Sequence, residues 1–321
     1  MKRLFAFIMT VALLALIFWR VDRTALLANL RSTHWAWFTL AVVMFVPQVG
    51  VIAFRWRRLV MCFAPITWGE CVRIVLASAT MNLVLPSKLG DLSKGVFLKR
   101  TGTLDLKRAM NIVVFEKMLD VAALALMMLG GVALMLACDG ATPLQRHAAI
   151  VAGAAGAAAV AAVAAVYFIP MTAFPGFRRA LEWLGGKPRL KKLHDLVLAG
   201  HEVITMLQSR GARRGRIVAY SLLIWVLHLA QIYFFFLCLG VRPDPGQYMS
   251  LVPLAIFIGL VPVTIAGFGT RDAAIISLFA QYPPSLMFGI ALYINLRYIV
   301  PAIAGIPFLN RYISYARELK Q

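Results

Sequence analysis

The sequence predicts an all-α polytopic integral membrane protein, with six full spans and two oppositely oriented re-entrant helical hairpins in inverted repeats. The chain of 321 residues is 61% hydrophobic and only 14% charged. Apolar runs of about 20 residues, the length that crosses a bilayer, recur from end to end. Two shorter runs are interrupted by proline and glycine. We interpret residues 1–321 as a single transmembrane domain, with a first inverted half at 1–137 and a second at 138–310.

The net charge of +20 fits a membrane protein better than a nucleic-acid-binding one. Nucleic-acid-binding proteins carry a continuous basic patch or stripe, whereas the Lys and Arg residues here form short clusters between the apolar runs. Cytoplasmic loops of membrane proteins collect such clusters. We therefore expect no nucleic-acid partner.

Six apolar segments are predicted to cross the membrane. The first, MKRLFAFIMTVALLALIFWR, lacks a small-residue cleavage site and continues into Trp19 and Arg20, which favours a span over a signal peptide. The six segments are 4–19, 35–54, 109–137, 148–170, 217–239 and 286–309.

Three further apolar segments, 74–86, 248–262 and 273–280, are too short to cross with ease. If 74–86 crossed fully, the basic stretches at 88–108 and 178–216 would lie outside the cell. A hairpin that enters and leaves on the cytoplasmic side avoids this conflict, and segment 248–280 then forms a hairpin that enters from outside. This topology predicts a multi-pass protein of the cytoplasmic (inner) membrane, with cytoplasmic N- and C-termini.

The two hairpins share a sequence pattern. LVLPSKLGDLSKG at 83–95 and LVPVTIAGFGTRDAA at 260–274 each place proline, small residues and glycine before an acidic and a basic residue that lie within three positions of each other. Paired interrupted segments in matching halves indicate a transport site near the bilayer midplane. The turn residues are Pro86, Gly90, Pro262, Gly267 and Gly269.

The returning helix of each hairpin predicts an anion site. Ser87 would cap a helix that runs through Arg100, and Thr270 would cap a helix over 271–281. Helix N-termini carry partial positive charge and free N–H groups, which suit a phosphate. Lys88, Lys94 and Arg271 would add positive charge, while Asp91 and Asp272 would order the bases or contact a polar headgroup. A simpler alternative is that Lys94, Lys99 and Arg100 extend to water.

Charged residues inside two predicted spans extend the candidate site. Glu116 and Asp120 are four residues apart and share one helix face. Arg297 lies near the middle of the last span, where an arginine needs a partner or water. An ion pair of Arg297 with Glu116 or Asp120 is the structural alternative to substrate binding. The complete set of predicted substrate-binding residues is Asn82, Pro86, Ser87, Lys88, Gly90, Asp91, Lys94, Glu116, Asp120, Gly267, Gly269, Thr270, Arg271, Asp272 and Arg297.

Residues at about 174–210 predict a cytoplasmic amphipathic helix that contacts anionic lipid, because apolar residues recur there at helical spacing. His194 and His201, seven residues apart on it, could ligate a metal, but no ligand pattern of known type supports this. The four cysteines are scattered along the sequence. We expect neither a cofactor nor a metal.

No signature of a known enzyme class occurs in the sequence, which has no HExxH, P-loop or GxSxG motif. We therefore expect a protein that is not an enzyme. Two alternatives stay open: an intramembrane lipid-modifying enzyme that uses Glu116 or Asp120 as a base, and a non-catalytic membrane partner of a separate lipid synthase.

Three motifs, in order, resemble the signatures of the lysylphosphatidylglycerol synthase transmembrane (flippase-like) family. They are NLVLPSKLGDLSKGVFLKRTG, FEKMLD and PVTIAGFGTRDA. The resemblance covers essentially the whole chain. It concerns only the membrane half of the longer family members, because the sequence ends at Gln321 without their appended soluble synthase domain.

This resemblance implies a lipid translocase related to the membrane half of the multiple peptide resistance factor, which moves aminoacylated phosphatidylglycerol. Lys88 and Asp272 depart from the commoner family residues, so the headgroup is open. The implied partner is a membrane phospholipid or a polyprenyl-phosphate lipid. A homo-oligomer or a partner in lipid synthesis is also left open.

Overall fold

In the part of the chain that the structure describes, the fold is built from helices without any strand. The computed structural model describes residues 2–85, 90–100, 102, 104–137, 142–168, 211–261 and 263–318, with isolated positions between 176 and 205. The predicted all-α class is confirmed. The helices are α1 (Lys2–Arg20), α2 (Arg23–Arg31), α3 (Trp35–Val43), α4 (Phe45–Val60), α5 (Trp68–Val84), α6 (Ser93–Arg100), α7 (Leu106–Ala137), α8 (Pro143–Phe168), α9 (Gly211–Cys238), α10 (Pro245–Gly259), α11 (Thr270–Leu278) and α12 (Pro284–Glu318).

Short polar side chains define where several helices begin. Asp22 accepts the backbone N–H groups of Thr24 and Ala25 at the start of α2. Thr67 caps α5, and Asp244 caps α10, where Pro245 follows in the first helical turn. Each cap satisfies backbone N–H groups that have no partner within the helix.

Within the described residues, five helical segments are long and apolar enough to cross a membrane, so the chain is a multi-pass membrane protein. They coincide with five of the six predicted spans. The remaining predicted span, 4–19, lies in α1, whose apolar part Phe7–Arg20 is shorter than the other five. The five segments are Trp35–Val60, Leu106–Ala137, Pro143–Val166, Gly215–Cys238 and Pro284–Asn310.

Each predicted hairpin contains two short helices. In the first, α5 has 17 residues and α6 has eight, while in the second α10 has 15 and α11 has nine. At 1.5 Å per residue, even α5 reaches only about 26 Å, less than the roughly 30 Å of a bilayer core. The helices are therefore broken at both predicted places. The opposite entry of the hairpins and the division of the chain at residue 137 stay predictions.

Each hairpin packs its longer helix against the span that follows the other hairpin. Helix α5 lies along α12, and α10 lies along α7. A Cβ added at Gly305 would lie 2.0 Å from the carbonyl oxygen of Leu76, and one at Gly131 would lie 2.2 Å from the carbonyl carbon of Met249. Glycine at these points lets the two backbones approach closely, as is common between membrane helices.

A separate apolar cluster packs around each hairpin. The first includes Trp56 of α4, Phe97 of α6 and Ile112 of α7. The second includes Phe236 of α9 and Phe279, which directly follows α11. Each hairpin is therefore supported by its own core.

Two of the sequence predictions lie largely outside the described residues. The amphipathic helix expected at about 174–210 is described only at isolated positions, and His194 is not among them. Three of the four cysteines are described, and Cys62, Cys71 and Cys238 are free and buried, as expected of small apolar fillers.

Candidate functional site

Asn82 of α5 fixes the turn of the first hairpin. Its Nδ2 donates to Asp91 Oδ1 at 3.0 Å, and its Oδ1 accepts the Asp91 backbone N–H at 3.1 Å. The Gly90 carbonyl accepts hydroxyl groups from Ser78 at 3.0 Å and Ser93 at 2.5 Å. These bonds hold Asp91 in one place beside α5.

Three other predicted binding residues lie outside the described residues: Pro86, Ser87 and Lys88.

Six charged side chains form a closed ring of ion pairs beside this turn. Arg55 contacts Glu116 at 2.7 Å and Asp120 at 2.5 Å. Lys94 contacts Glu116 at 3.1 Å and Asp91 at 3.9 Å. In order, the ion-pair ring consists of Arg55, Glu116, Lys94, Asp91, Lys117 and Asp120.

Lys117 closes the ion-pair ring with contacts of 2.6 Å to Asp91 and 3.2 Å to Asp120. Every cation therefore lies between two carboxylates, and every carboxylate lies between two cations. The ring joins α4, the first hairpin and α7. Since its three positive and three negative charges balance, the ring as a whole is neutral.

One side of the ion-pair ring is buried and the other is partly open. The side chains of Arg55, Lys94 and Glu116 are at most 4% exposed, whereas that of Lys117 is 40% exposed. On the buried side, Arg55 also donates to Ser221 Oγ at 3.0 Å. Trp56 lies with its ring centroid 5.5 Å from Lys94 Nζ, a cation–π contact.

Two sequence-based interpretations of these charges are wrong. Lys94 does not extend to water, because its ammonium group is buried against Glu116. Lys99, by contrast, is exposed as expected. Arg297 does not pair with Glu116 or Asp120, because Arg55 occupies both carboxylates from α4.

A polar cavity of about 170 Å³ opens beside the ion-pair ring, with room for several water molecules. All six ring residues line it, together with Asn82. Across the cavity lie Arg297, Tyr298 and Pro301 of α12, with Ile224 and Trp225 of α9. Residues from the first and second halves of the sequence line this cavity, but none of the described lining residues belongs to α10 or α11 of the second hairpin.

Arg297 is the exception to the charge pairing around this cavity. It is only 9% exposed, yet its Nε and Nη1 atoms are buried without a hydrogen-bond partner. Among the described residues, no carboxylate pairs with it. It lies 13 residues after Pro284, about 20 Å along the helix axis and thus near the middle of its span. A buried charge without a partner is costly, so this guanidinium favours an anion or water as its partner.

The second hairpin forms a smaller group, the buried triad of Arg271, Asp272 and Asn295. Arg271 Nη2 donates to Asp272 Oδ1 at 2.9 Å and also to Asn295 Oδ1. Asn295 Nδ2 donates to Asp272 Oδ2 at 3.2 Å. Within the triad, both carboxylate oxygens of Asp272 accept hydrogen bonds from residues of α11 and α12. None of the three residues lines the cavity.

The start of α11 differs from the sequence prediction. Thr270 is not the N-cap but the first helical residue, and the helix ends at Leu278 instead of 281. Gly269 is the N-cap, with a φ of 87°, and its N–H donates to Asp272 Oδ2 at 3.0 Å. Because L side chains rarely adopt this backbone conformation, glycine suits the position. The Thr270 hydroxyl bonds to the Gly267 carbonyl at 3.3 Å, within the same turn.

Tyr298 links the buried triad to the cavity. Its ring centroid lies 5.1 Å from the guanidinium carbon of Arg271 and 5.3 Å from that of Arg297. The guanidinium groups of two arginines therefore contact one aromatic ring. Of these two arginines, only Arg271 has a carboxylate partner among the described residues.

Sequence reasoning missed Arg55, Lys117 and Asn295 as site residues. Arg55 looked like the first member of a cytoplasmic cluster with Arg57 and Arg58, because the predicted span ended at Phe54. The helix continues to Val60, which puts Arg55 inside the bundle. Asn295 carried a usable signal, since it is a polar residue near the middle of an apolar span.

No group of three or more His, Cys, Asp or Glu side chains that could hold a metal ion occurs among the described residues.

The broken helices and the cavity lined by charged side chains define a polytopic helical membrane protein with an internal chamber. Residues 3–305 match the family described as "Lysylphosphatidylglycerol synthase TM region", and the chain therefore belongs to that family. No curated protein shows a significant match to the chain. Membership agrees with the predicted resemblance and with a membrane role related to phospholipids.

Proposed function

We propose that this chain is a lipid translocase of the cytoplasmic membrane that moves a phosphate-bearing headgroup through the polar cavity without chemically changing the lipid. The main support is Arg297, a buried cation near the middle of its span that lines the cavity and whose Nε and Nη1 atoms have no hydrogen-bond partner. Guanidinium groups bind phosphate oxygens through charge-assisted hydrogen bonds.

The cavity would lower the barrier that normally prevents a headgroup from crossing. Moving a small ion from water into hydrocarbon costs on the order of 20 kcal/mol by a Born estimate. In the proposed mechanism the headgroup exchanges water for Arg297 and the polar cavity wall, while its acyl chains stay in the surrounding lipid.

Access would alternate between the two membrane sides by movement of one half against the other around the cavity. The crossed packing of α5 on α12 and of α10 on α7 is the support for this step, because it would make each hairpin move together with the span that follows the other hairpin. A lipid or ion gradient, or a membrane potential worth about 2.3 kcal/mol per charge per 100 mV, would supply the drive. The N- and C-termini would be cytoplasmic.

Purified protein in liposomes tests this proposal. A fluorescent phospholipid should move between leaflets faster in proteoliposomes than in empty liposomes, and its mass should not change. Arg297→Gln should reduce the rate at least about tenfold, because a charge-assisted hydrogen bond is worth about 1.5–3 kcal/mol. Arg242→Gln, at an exposed position, is the matched control and should behave as the wild type.

Each alternative has its own result. A lipid of new mass would identify a lipid-modifying enzyme and contradict the proposal. If neither movement nor modification occurs in folded protein, a non-catalytic partner of a separate synthase is favoured. Equal rates in Arg297→Gln and the wild type would overturn the assignment of Arg297.

A further inference from the structure

The charge balance of the cavity bears on which headgroup it accepts. This inference rests on the proposed function, since it names the class of lipid that the same cavity binds. The deciding question is whether the cavity offers a free carboxylate to a positively charged headgroup.

The carboxylates of the cavity are already neutralised. Glu116 accepts from Arg55 and from Lys94, and it is fully buried. Asp91 and Asp120 share the ammonium group of Lys117. Each carboxylate also has a second cation in the ion-pair ring, so a ligand ammonium group would have to displace a lysine or arginine of the protein.

The cations of the cavity exceed its carboxylates. Among the described lining residues four carry positive charge and three carry negative charge, which leaves a net charge of +1. The excess is located at Arg297, because the other three cations belong to the neutral ion-pair ring. This charge attracts an anion and repels a cation over several ångströms.

Arg271 does not alter this charge balance, because it is paired with Asp272 and does not line the cavity. Its guanidinium contacts the same Tyr298 ring as that of Arg297 and retains two buried nitrogens, Nε and Nη1, without hydrogen-bond partners. Asp272 neutralises Arg271 but lies within the buried triad, so it offers no carboxylate to the cavity.

We propose that the cavity selects lipids whose headgroup has a net negative charge, with a phosphate and no amine, and rejects aminoacylated headgroups. Phosphatidylglycerol and polyprenyl phosphates belong to the accepted class, because both present phosphate oxygens without a compensating ammonium. An aminoacyl ester of phosphatidylglycerol adds one or two ammonium groups, which meet Arg297 and no unpaired carboxylate. The chain thus differs in substrate charge from the lipid in its family's name.

Binding measurements on the purified full-length chain test the selectivity directly. Native mass spectrometry in detergent would compare phosphatidylglycerol, lysyl-phosphatidylglycerol and phosphatidylcholine with identical acyl chains. We expect phosphatidylglycerol to bind about tenfold or more tightly than the other two, because all three present the same phosphodiester but only the other two bring an ammonium group that Arg297 repels. Glycerol 3-phosphate serves as the headgroup without a tail, and competition by it would show that the phosphate and not the acyl chains is recognised.

Two variants make the test specific to Arg297. Arg297→Gln should abolish the preference for phosphatidylglycerol while phosphatidylcholine binding stays the same. Arg297→Glu should reverse the preference in favour of the lysyl lipid. Arg242→Gln is again the matched control. Tighter or equal binding of lysyl-phosphatidylglycerol by the wild type, which needs no variant to fold, would overturn the inference.

The translocation assay separates this inference from the proposed function. Faster movement of lysyl-phosphatidylglycerol than of phosphatidylglycerol would leave the translocase standing and defeat the selectivity. Selective binding of phosphatidylglycerol without any movement between leaflets would defeat the translocase and leave the selective site standing.

Discussion

The two hairpins stabilise buried charge in different ways. The first distributes its charges over the ion-pair ring, which joins three parts of the fold and has one open edge at Lys117. The second confines its charge to the buried triad, which involves only α11 and α12 and is closed to the cavity. The difference indicates that the first hairpin is held by interactions between elements, whereas the second is held by interactions close to its own turn.

The largest expected effect comes from removing the most buried carboxylate. Glu116→Gln leaves Arg55 and Lys94 without their shared partner and should cost about 3–5 kcal/mol of stability. Asp272→Asn leaves only Arg271 unpaired and should cost less. Thermal unfolding in detergent, followed by size-exclusion chromatography, would measure both.

Glu70→Gln is the control for this comparison. Its partner Arg73 has a side chain that is 44% exposed, so the change should cost under about 1 kcal/mol. If Glu116→Gln were no more damaging than this control, the ion-pair ring would not be what holds the first hairpin.

A smaller effect is expected where the hairpins pack on the opposite halves. Gly305→Ala and Gly131→Ala should each cost about 1–3 kcal/mol, because the added methyl group overlaps backbone atoms of α5 or α10. Since Leu76 lines the cavity, Gly305→Ala should also slow translocation, and Gly131→Ala should not.

The matched controls are Gly50→Ala and Gly130→Ala, where nothing lies within 4 Å of the new methyl group. Both should be neutral or slightly stabilising, since alanine favours a helix over glycine by about 1 kcal/mol. Equal melting temperatures for Gly131→Ala and Gly130→Ala would show that the close approach has no energetic role.

The smallest effects should come from the hydroxyl groups of the two turns. Ser93→Ala removes the 2.5 Å bond to the Gly90 carbonyl and should cost about 1 kcal/mol. Thr270→Val removes a 3.3 Å bond to the Gly267 carbonyl and a 3.1 Å bond between the Thr270 and Thr264 hydroxyls, and should cost about 1–2 kcal/mol. A loss well above about 2 kcal/mol for Thr270→Val in the same unfolding assay would contradict the view that Gly269 and Asp272 cap α11.

Much of the fold could be predicted because membrane spans are set by length and hydropathy, both of which the sequence displays. The breaks in the two hairpins were also visible, since proline and glycine act locally. The start of α11 was harder, because Thr270 and Gly269 are adjacent and both are acceptable caps. Only the bond from Gly269 to Asp272 decides between them.

The candidate site was only partly predictable. Glu116, Asp120 and Arg297 stood out as charges inside apolar spans, but their partners depend on how the helices pack. Arg55 was hidden by a span boundary that was drawn six residues too early, before Val60. Pairing between distant helices leaves no periodic signal in a single sequence, so the ring could not be deduced from spacing alone.

Pro301 gives the site a mechanical property. It follows Arg297 by four residues in α12, and proline has no N–H with which to satisfy the carbonyl of the residue four positions earlier. A helix bends most readily where such a bond is missing. The cation that lines the chamber therefore lies one turn before one of the two prolines inside α12, Pro301 and Pro307, so that neutralising its charge and flexing the helix at Pro301 would act on the same few atoms.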